Sequence, residues 1–77
     1  KNIRISPNPF TDRINLYSSD EISVVKIYNS LGSEISTQLV NNTTVQLYLS
    51  ELPDGLYIVR LFHKNGMVIA KKIIKNQ

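Results

Sequence analysis

Apolar and polar residues alternate with a period of two along most of this chain, the spacing of strands that bury one face. Ile3 and Ile5 alternate with Asn2, Arg4 and Ser6, and Ile14 and Leu16 with Arg13, Asn15 and Tyr17. Val25 and Ile27 share one face while Val24, Lys26 and Tyr28 share the other. Ile35, Thr37 and Leu39 follow, then Val45, Leu47 and Leu49 against Thr44, Gln46 and Tyr48. Residues 56–63 are apolar on both faces apart from Arg60, which suits a central strand. Residues 67–75 set Val68 and Ala70 against Ile69 and Ile73. No stretch has helical spacing, so the pattern predicts seven short strands.

Turn formers separate these runs. Lys64-Asn65-Gly66-Met67 predicts a type I′ hairpin joining the last two strands, because Asn and Gly accept positive φ. Ser30-Leu31-Gly32 fits a type I turn with a left-handed glycine before a bulge. Asn41-Asn42 predicts a tight hairpin and Ser19-Asp20 a turn between the second and third strands. In Leu52-Pro53-Asp54-Gly55, Pro53 presets φ and Gly55 closes the turn. Pro7 and Pro9 flank Asn8 and keep that segment out of a central strand. Seven strands at roughly ten-residue spacing predict an all-β fold, a small seven-stranded antiparallel β-sandwich of immunoglobulin-like shape. A small open barrel is the alternative.

Composition narrows the picture. The chain has 77 residues, which makes residues 1–77 one domain of modest stability. It contains no cysteine, hence no disulfide and no thiolate metal site. Its apolar runs fall far short of the roughly 20 residues needed to span a bilayer. Lys1-Asn2-Ile3-Arg4 leads directly into a strand pattern, so the signal peptide of an exported protein is expected upstream. Net charge is +3 and uneven. Residues 1–54 carry four cations against six acids, whereas residues 55–77 carry Arg60, Lys64, Lys71, Lys72 and Lys75 and no acid. A basic second half favours anionic partners. Strand-ending lysines also blunt a sheet edge against aggregation.

The residues give catalysis little support. His63 is the single histidine and is expected to be a partly exposed strand residue before a hairpin. No spacing suggests a nucleophile, this histidine and a carboxylate converging in a pocket. Zinc needs three or four ligands that one histidine and scattered acids do not supply. No glycine-rich phosphate loop is present. The six aromatic residues are scattered along the chain without clustering, which argues against a nucleic-acid stacking platform. The expectation is no catalytic residue, no metal, no cofactor and no nucleic acid.

Three groups of residues carry a resemblance that spans nearly the whole chain. They are Pro7-Asn8-Pro9 near the front, Val25-Lys26-Ile27-Tyr28-Asn29 with Leu31-Gly32 in the middle, and a final group. That group is Leu52-Pro53-Asp54-Gly55-Leu56-Tyr57, Gly66, and Lys72 before Ile73-Ile74. In order and spacing they resemble the C-terminal sorting domain, type A, of proteins exported by the type IX secretion system of Bacteroidota. The resemblance implies a signal, not a catalyst. It implies cargo covalently linked upstream, transit through the periplasm, and passage through the type IX translocon to the outer membrane, cell surface or medium. It also implies an outer-membrane shuttle protein and a sortase-like cysteine protease as partners, with cleavage upstream of the folded module, close to Lys1. Gly66, Lys71, Lys72, Ile73 and Ile74 are expected to form the recognition element, held by Pro53, Gly55 and Tyr57, with the final strand open to β-augmentation. Tyr57 is expected in the core or at a corner. The alternative is a fibronectin-like accessory module of a secreted enzyme contacting carbohydrate, against which the absence of Trp counts.

Overall fold

The computed structural model describes residues 2–76. Lys1, the expected neighbour of the processing point, lies outside the described residues. The chain forms five strands: β1 (Ile3–Ser6), β2 (Arg13–Asn29), β3 (Glu34–Tyr48), β4 (Gly55–His63) and β5 (Val68–Lys75). All their pairings are antiparallel. The body measures 33 × 22 × 18 Å.

Five strands replace the seven expected because two expected turns are corners inside continuous strands. β2 pairs through residues 13–17 with residues 44–48 of β3, and again through residues 24–28 with residues 34–39. Between the two blocks the register shifts and both strands bend. At the β2 corner Ser18 Oγ accepts the Asp20 N–H at 3.2 Å, so Ser19-Asp20 bends the strand without ending it. At the β3 corner Asn41 takes φ 53°, the left-handed conformation that asparagine tolerates. The polar runs thus supply curvature instead of hairpins.

The bent β2–β3 ribbon belongs to two halves. β1 and the outer parts of β2 and β3 make a three-stranded half. The inner parts of β3 and β2, followed by β4 and β5, make a four-stranded half in which β4 is central, as its composition suggests. Both halves close over one core. Ile14, Leu16 and Leu47 enter it from the first half, and Val25, Ile27, Val59, Leu61 and Ile73 from the second. Phe10, Leu49 and Tyr57 fill the end between them. The alternation read for β1, β2, β4 and β5 matches this burial. β3 departs from it: Ser36 and Gln38 oppose the core residues Ile27 and Val25, so Thr37 and Leu39 point outward.

Two tight hairpins share one geometry. In each, a carbonyl accepts the glycine N–H, Asn29 O from Gly32 and His63 O from Gly66. The same residue's N–H reaches one residue beyond the glycine, at Ser33 and Met67. This is a type I turn closed by a left-handed glycine bulge, with φ 86° at Gly32 and 92° at Gly66. The first was expected. The second corrects the type I′ expectation, because Asn65 keeps negative φ and its Oδ1 accepts the Met67 N–H at 3.0 Å instead.

Candidate functional site

Pro7-Asn8-Pro9, the Leu52–Tyr57 segment and the Lys72–Ile74 stretch meet at one end of the sandwich. The peptide bonds before Pro7 and Pro9 are cis, and the segment they shape runs along the outer edge of β5. Asn8 Nδ2 donates to Lys72 O at 3.3 Å and Asn8 Oδ1 accepts the Ile74 N–H at 3.0 Å, so one amide side chain imitates a strand. Phe10 continues the ladder, donating to Ile74 O and accepting from Asn76 N–H, each at 2.9 Å. The end of β5 is therefore capped, and the edge left open to β-augmentation is confined to its first half. Behind it the Tyr57 hydroxyl donates to Pro53 O, which ties the Leu52-Pro53-Asp54-Gly55 segment to β4 from a buried ring. Tyr57 is the corner tyrosine the sequence suggested.

Two titratable side chains are buried where composition predicts exposure. Lys75 is 2 % exposed, and its ammonium donates to Ser50 O at 3.2 Å and Leu52 O at 2.7 Å. It pins the last strand to the loop before β4 and is unavailable to a receptor. The period-two spacing Ile73, Lys75 was the signal for this, because Ile73 lies in the core. His63 is 4 % exposed, which corrects its expected partial exposure. Its Nδ1–H donates to Met67 O at 3.2 Å, and its Nε2 is 2.8 Å from Ser18 Oγ. A carbonyl only accepts, so the proton on Nδ1 is fixed. Ser18 and His63 are sealed inside and join the β2 corner to the last hairpin. The serine is 45 residues away in sequence, so no local pattern announces it.

The two outer faces differ in kind. On the three-stranded half the outward residues align as Ser6–Asn15–Gln46, Arg4–Tyr17–Thr44 and Arg13–Tyr48. Gln46 Nε2 donates to Asn15 Oδ1 at 2.8 Å and accepts at Oε1 from Tyr48 at 2.7 Å. It is a polar, solvated sheet face. On the four-stranded half the rows read Leu39–Val24–Phe62–Val68, Thr37–Lys26–Arg60–Ala70 and Glu34–Tyr28–Ile58–Lys72, with Leu56–Ile74 at the capped end. No layer among the described residues covers this side. Leu39 is 76 % exposed, Val68 50 %, Ile74 46 % and Leu56 39 %. The face mixes these exposed aliphatic side chains with a central Thr37–Lys26–Arg60 row.

Its cations are held flat. The Arg60 guanidinium lies 5.0 Å from the Tyr28 ring centroid, and Lys26 Nζ lies 5.7 Å from that of Phe62. Lys26 Nζ also meets Glu34 Oε1 at 3.3 Å, while the Thr37 hydroxyl donates to Glu34 Oε2. These contacts, the Thr37 hydrogen bond first and Lys26 second, hold the Glu34 carboxyl below its ordinary value. A groove of about 290 Å³ runs beside Tyr28, Ile58 and Arg60, bounded by the Asn29–Gly32 turn.

The expected recognition residues are distributed unevenly over this architecture. Lys72 and Ile74 lie on the apolar outer face. Ile73 is fully buried and supports that face from within. Lys71 pairs with the buried Val59, which places it on the core side at the exposed rim of β5. Gly66 sits in the hairpin at the far end of the β4–β5 ladder, about 24 Å from the capped end at about 3.4 Å per residue. Pro7, Asn8, Pro9, Leu52, Pro53, Gly55 and Tyr57 gather behind Lys72 and Ile74. The sequence reading missed Tyr28, Ile58, Arg60 and Phe62 as surface. The signal for Ile58 and Phe62 was the second apolar face of residues 56–63, and that for Tyr28 its place on the face opposite Val25 and Ile27.

Comparison with known proteins agrees with the arrangement. The fold is similar to that of CopC from Methylosinus trichosporium OB3b, with a TM-score of 0.55 at 15 % identity, over 96 % of this chain and 91 % of that one. That likeness concerns the fold alone and supports the immunoglobulin-like sandwich. The chain is 33 % identical over 84 residues to karilysin of Tannerella forsythia, covering 92 % of this chain and 18 % of that protein. The profile of the secretion system C-terminal sorting domain matches residues 4–76. Over nearly its whole length, then, the chain belongs to the secretion system C-terminal sorting domain family, whose non-catalytic modules are sorting signals for type IX secretion.

Proposed function

We propose that this domain addresses an upstream, covalently linked cargo to the type IX translocon, and that the machinery reads it as a folded surface. The observation that carries the reading is the outer face of the four-stranded half, whose exposed apolar side chains no element among the described residues covers. Lys72 and Ile74 contribute side chains to that face, with Tyr28, Ile58, Arg60 and Phe62 beside them. Ile73, Lys71 and Gly66 complete the expected element as support, rim and hairpin. The cap by Pro7–Phe10, the Lys75 pin and the Tyr57 corner fix the C-terminal strand, so the face exists only in the folded state.

In this reading the cargo reaches the periplasm first and then crosses the outer membrane to the cell surface or medium. An outer-membrane shuttle protein and a sortase-like cysteine protease act on the domain, and the protease removes it at a bond upstream of β1. The domain is itself the substrate and performs no catalysis. The test fuses residues 1–77 to the C-terminus of a periplasm-targeted fluorescent reporter, in a Bacteroidota host with and without an intact type IX translocon. Reporter outside the cell, shortened by the mass of the domain and dependent on the translocon, is the expected result. Reporter retained in the periplasm beside a folded domain overturns the proposal.

A further inference from the structure

The arrangement of charge on the outer face points to the chemistry of what covers it, an inference that rests on the sorting reading above. Arg60 and Lys26 belong to β4 and β2, the two interior strands of the four-stranded half. The most exposed aliphatic side chains in the rows of this face, Leu39, Val68, Ile74 and Leu56, sit at the edge strands and the capped end. Cations set against aromatic rings and ringed by aliphatic contacts are anchors of the kind found at protein interfaces, where Arg and aromatic residues are sealed from water by their neighbours. A membrane-docking face has the opposite layout, with apolar side chains leading and cations reaching outward to head groups.

The face also shows what its cations select. Glu34 is the one acid on it among the described residues, and it already occupies Lys26. Arg60 faces Lys26 and Ala70 across the ladders, and Lys72 faces Ile58, so neither has an acid opposite it. Arg60 and Lys72 stand in diagonal register on neighbouring strands, their strand positions about 7–8 Å apart. Stacking on Tyr28 leaves the planar Arg60 fork pre-organised for a bidentate carboxylate.

We infer that the occupant is a protein of the export machinery. It presents two carboxylates within an apolar patch. One carboxylate meets Arg60 and the other Lys72, while the surrounding apolar surface closes on Phe62, Ile58 and the aliphatic rim.

The test uses the reporter fusion in exporting cells. A carbodiimide activates a carboxylate as its O-acylisourea, and a lysine amine in contact with it, having lost a proton, displaces the urea and leaves a zero-length amide. An amide adduct between Lys72 and an Asp or Glu of another protein is expected. Lys72→Arg removes the amine and loses the adduct, which assigns the link to this residue, and Arg60→Glu lowers both adduct and export at least tenfold. A photo-crosslinker at Ile58 provides the second arm. A protein adduct at Ile58 without any carbodiimide adduct overturns the carboxylate inference and leaves the sorting face standing. Normal export with no adduct at either position overturns both. Arg60-dependent sedimentation of the chain with vesicles of phosphatidylethanolamine and phosphatidylglycerol assigns the face to lipid and overturns the inference as well.

Discussion

Replacing Lys75 by Met separates the pinning role of this residue from any role of its charge in recognition. Methionine keeps the length and packing of the stem but removes the ammonium that holds Ser50 O and Leu52 O. An acceptor left without a partner costs about 1–3 kcal/mol. Ser50 is exposed and water replaces its donor, so the cost falls on the half-buried Leu52 carbonyl. Relief from desolvating a buried ammonium offsets part of it. A net loss of about 1–2 kcal/mol follows, which in a domain of this size lowers Tm by about 4–16 °C. Lys75→Ala also removes three buried methylenes at about 0.8 kcal/mol each and brings the loss to about 3–5 kcal/mol. That is a large share of the roughly 4–12 kcal/mol available to 77 residues. Lys72→Met, on the surface, stays within about 0.5 kcal/mol. Thermal unfolding followed by circular dichroism of the three variants decides the matter. Equal Tm for Lys75→Met and the parent chain, or an equal fall for Lys72→Met, refutes the pinning role.

Asn8→Ala removes both contacts to the β5 edge, costs about 1–3 kcal/mol and uncovers the Lys72–Ile74 backbone; a lower Tm and a new dimer or aggregate by size-exclusion light scattering are expected. Gly66→Ala meets no atom within 4 Å, so its cost is that of holding alanine at positive φ, about 1–2 kcal/mol by denaturant unfolding. The Glu34 carboxyl is held below its ordinary value of 4.5, so its contacts stabilise the fold above that pH and the contribution disappears as pH falls through the lowered value. The group is exposed, so Glu34→Gln flattens the acid limb of the stability curve only slightly, as urea titrations between pH 6 and pH 2 measure.

Local rules carried the fold a long way. Period-two spacing located every paired segment, and the Asn29–Gly32 turn was legible because its glycine position admits one geometry. The corners were not legible. Ser19-Asp20 and Asn41-Asn42 have turn chemistry, and only the ladder continuing on both sides of them makes them bends within a strand. The outward turn of Thr37 and Leu39 is likewise set by register against β2, which places Gln38 opposite Val25. At the candidate site the motifs were visible as motifs, but their convergence depends on contacts spanning 64 to 66 residues between Asn8 and β5. Lys75 was hidden by its type, since lysine reads as surface until its alternation with Ile73 is weighed. The apolar outer side of β4 was visible as well, and a central strand position accounted for only one of its two faces.

The central claim is that a folded outer face, not a linear sequence, carries the address, and one paired export measurement tests it. In the reporter fusion, Arg60→Glu with Ile58→Ser alters the four-stranded outer face, and Arg4→Glu with Tyr17→Ser alters the opposite one. Both variants are first verified as folded by circular dichroism. Reporter outside the cell is expected to vanish for the first and to persist for the second. Export retained by the first, or lost equally by both, contradicts the account.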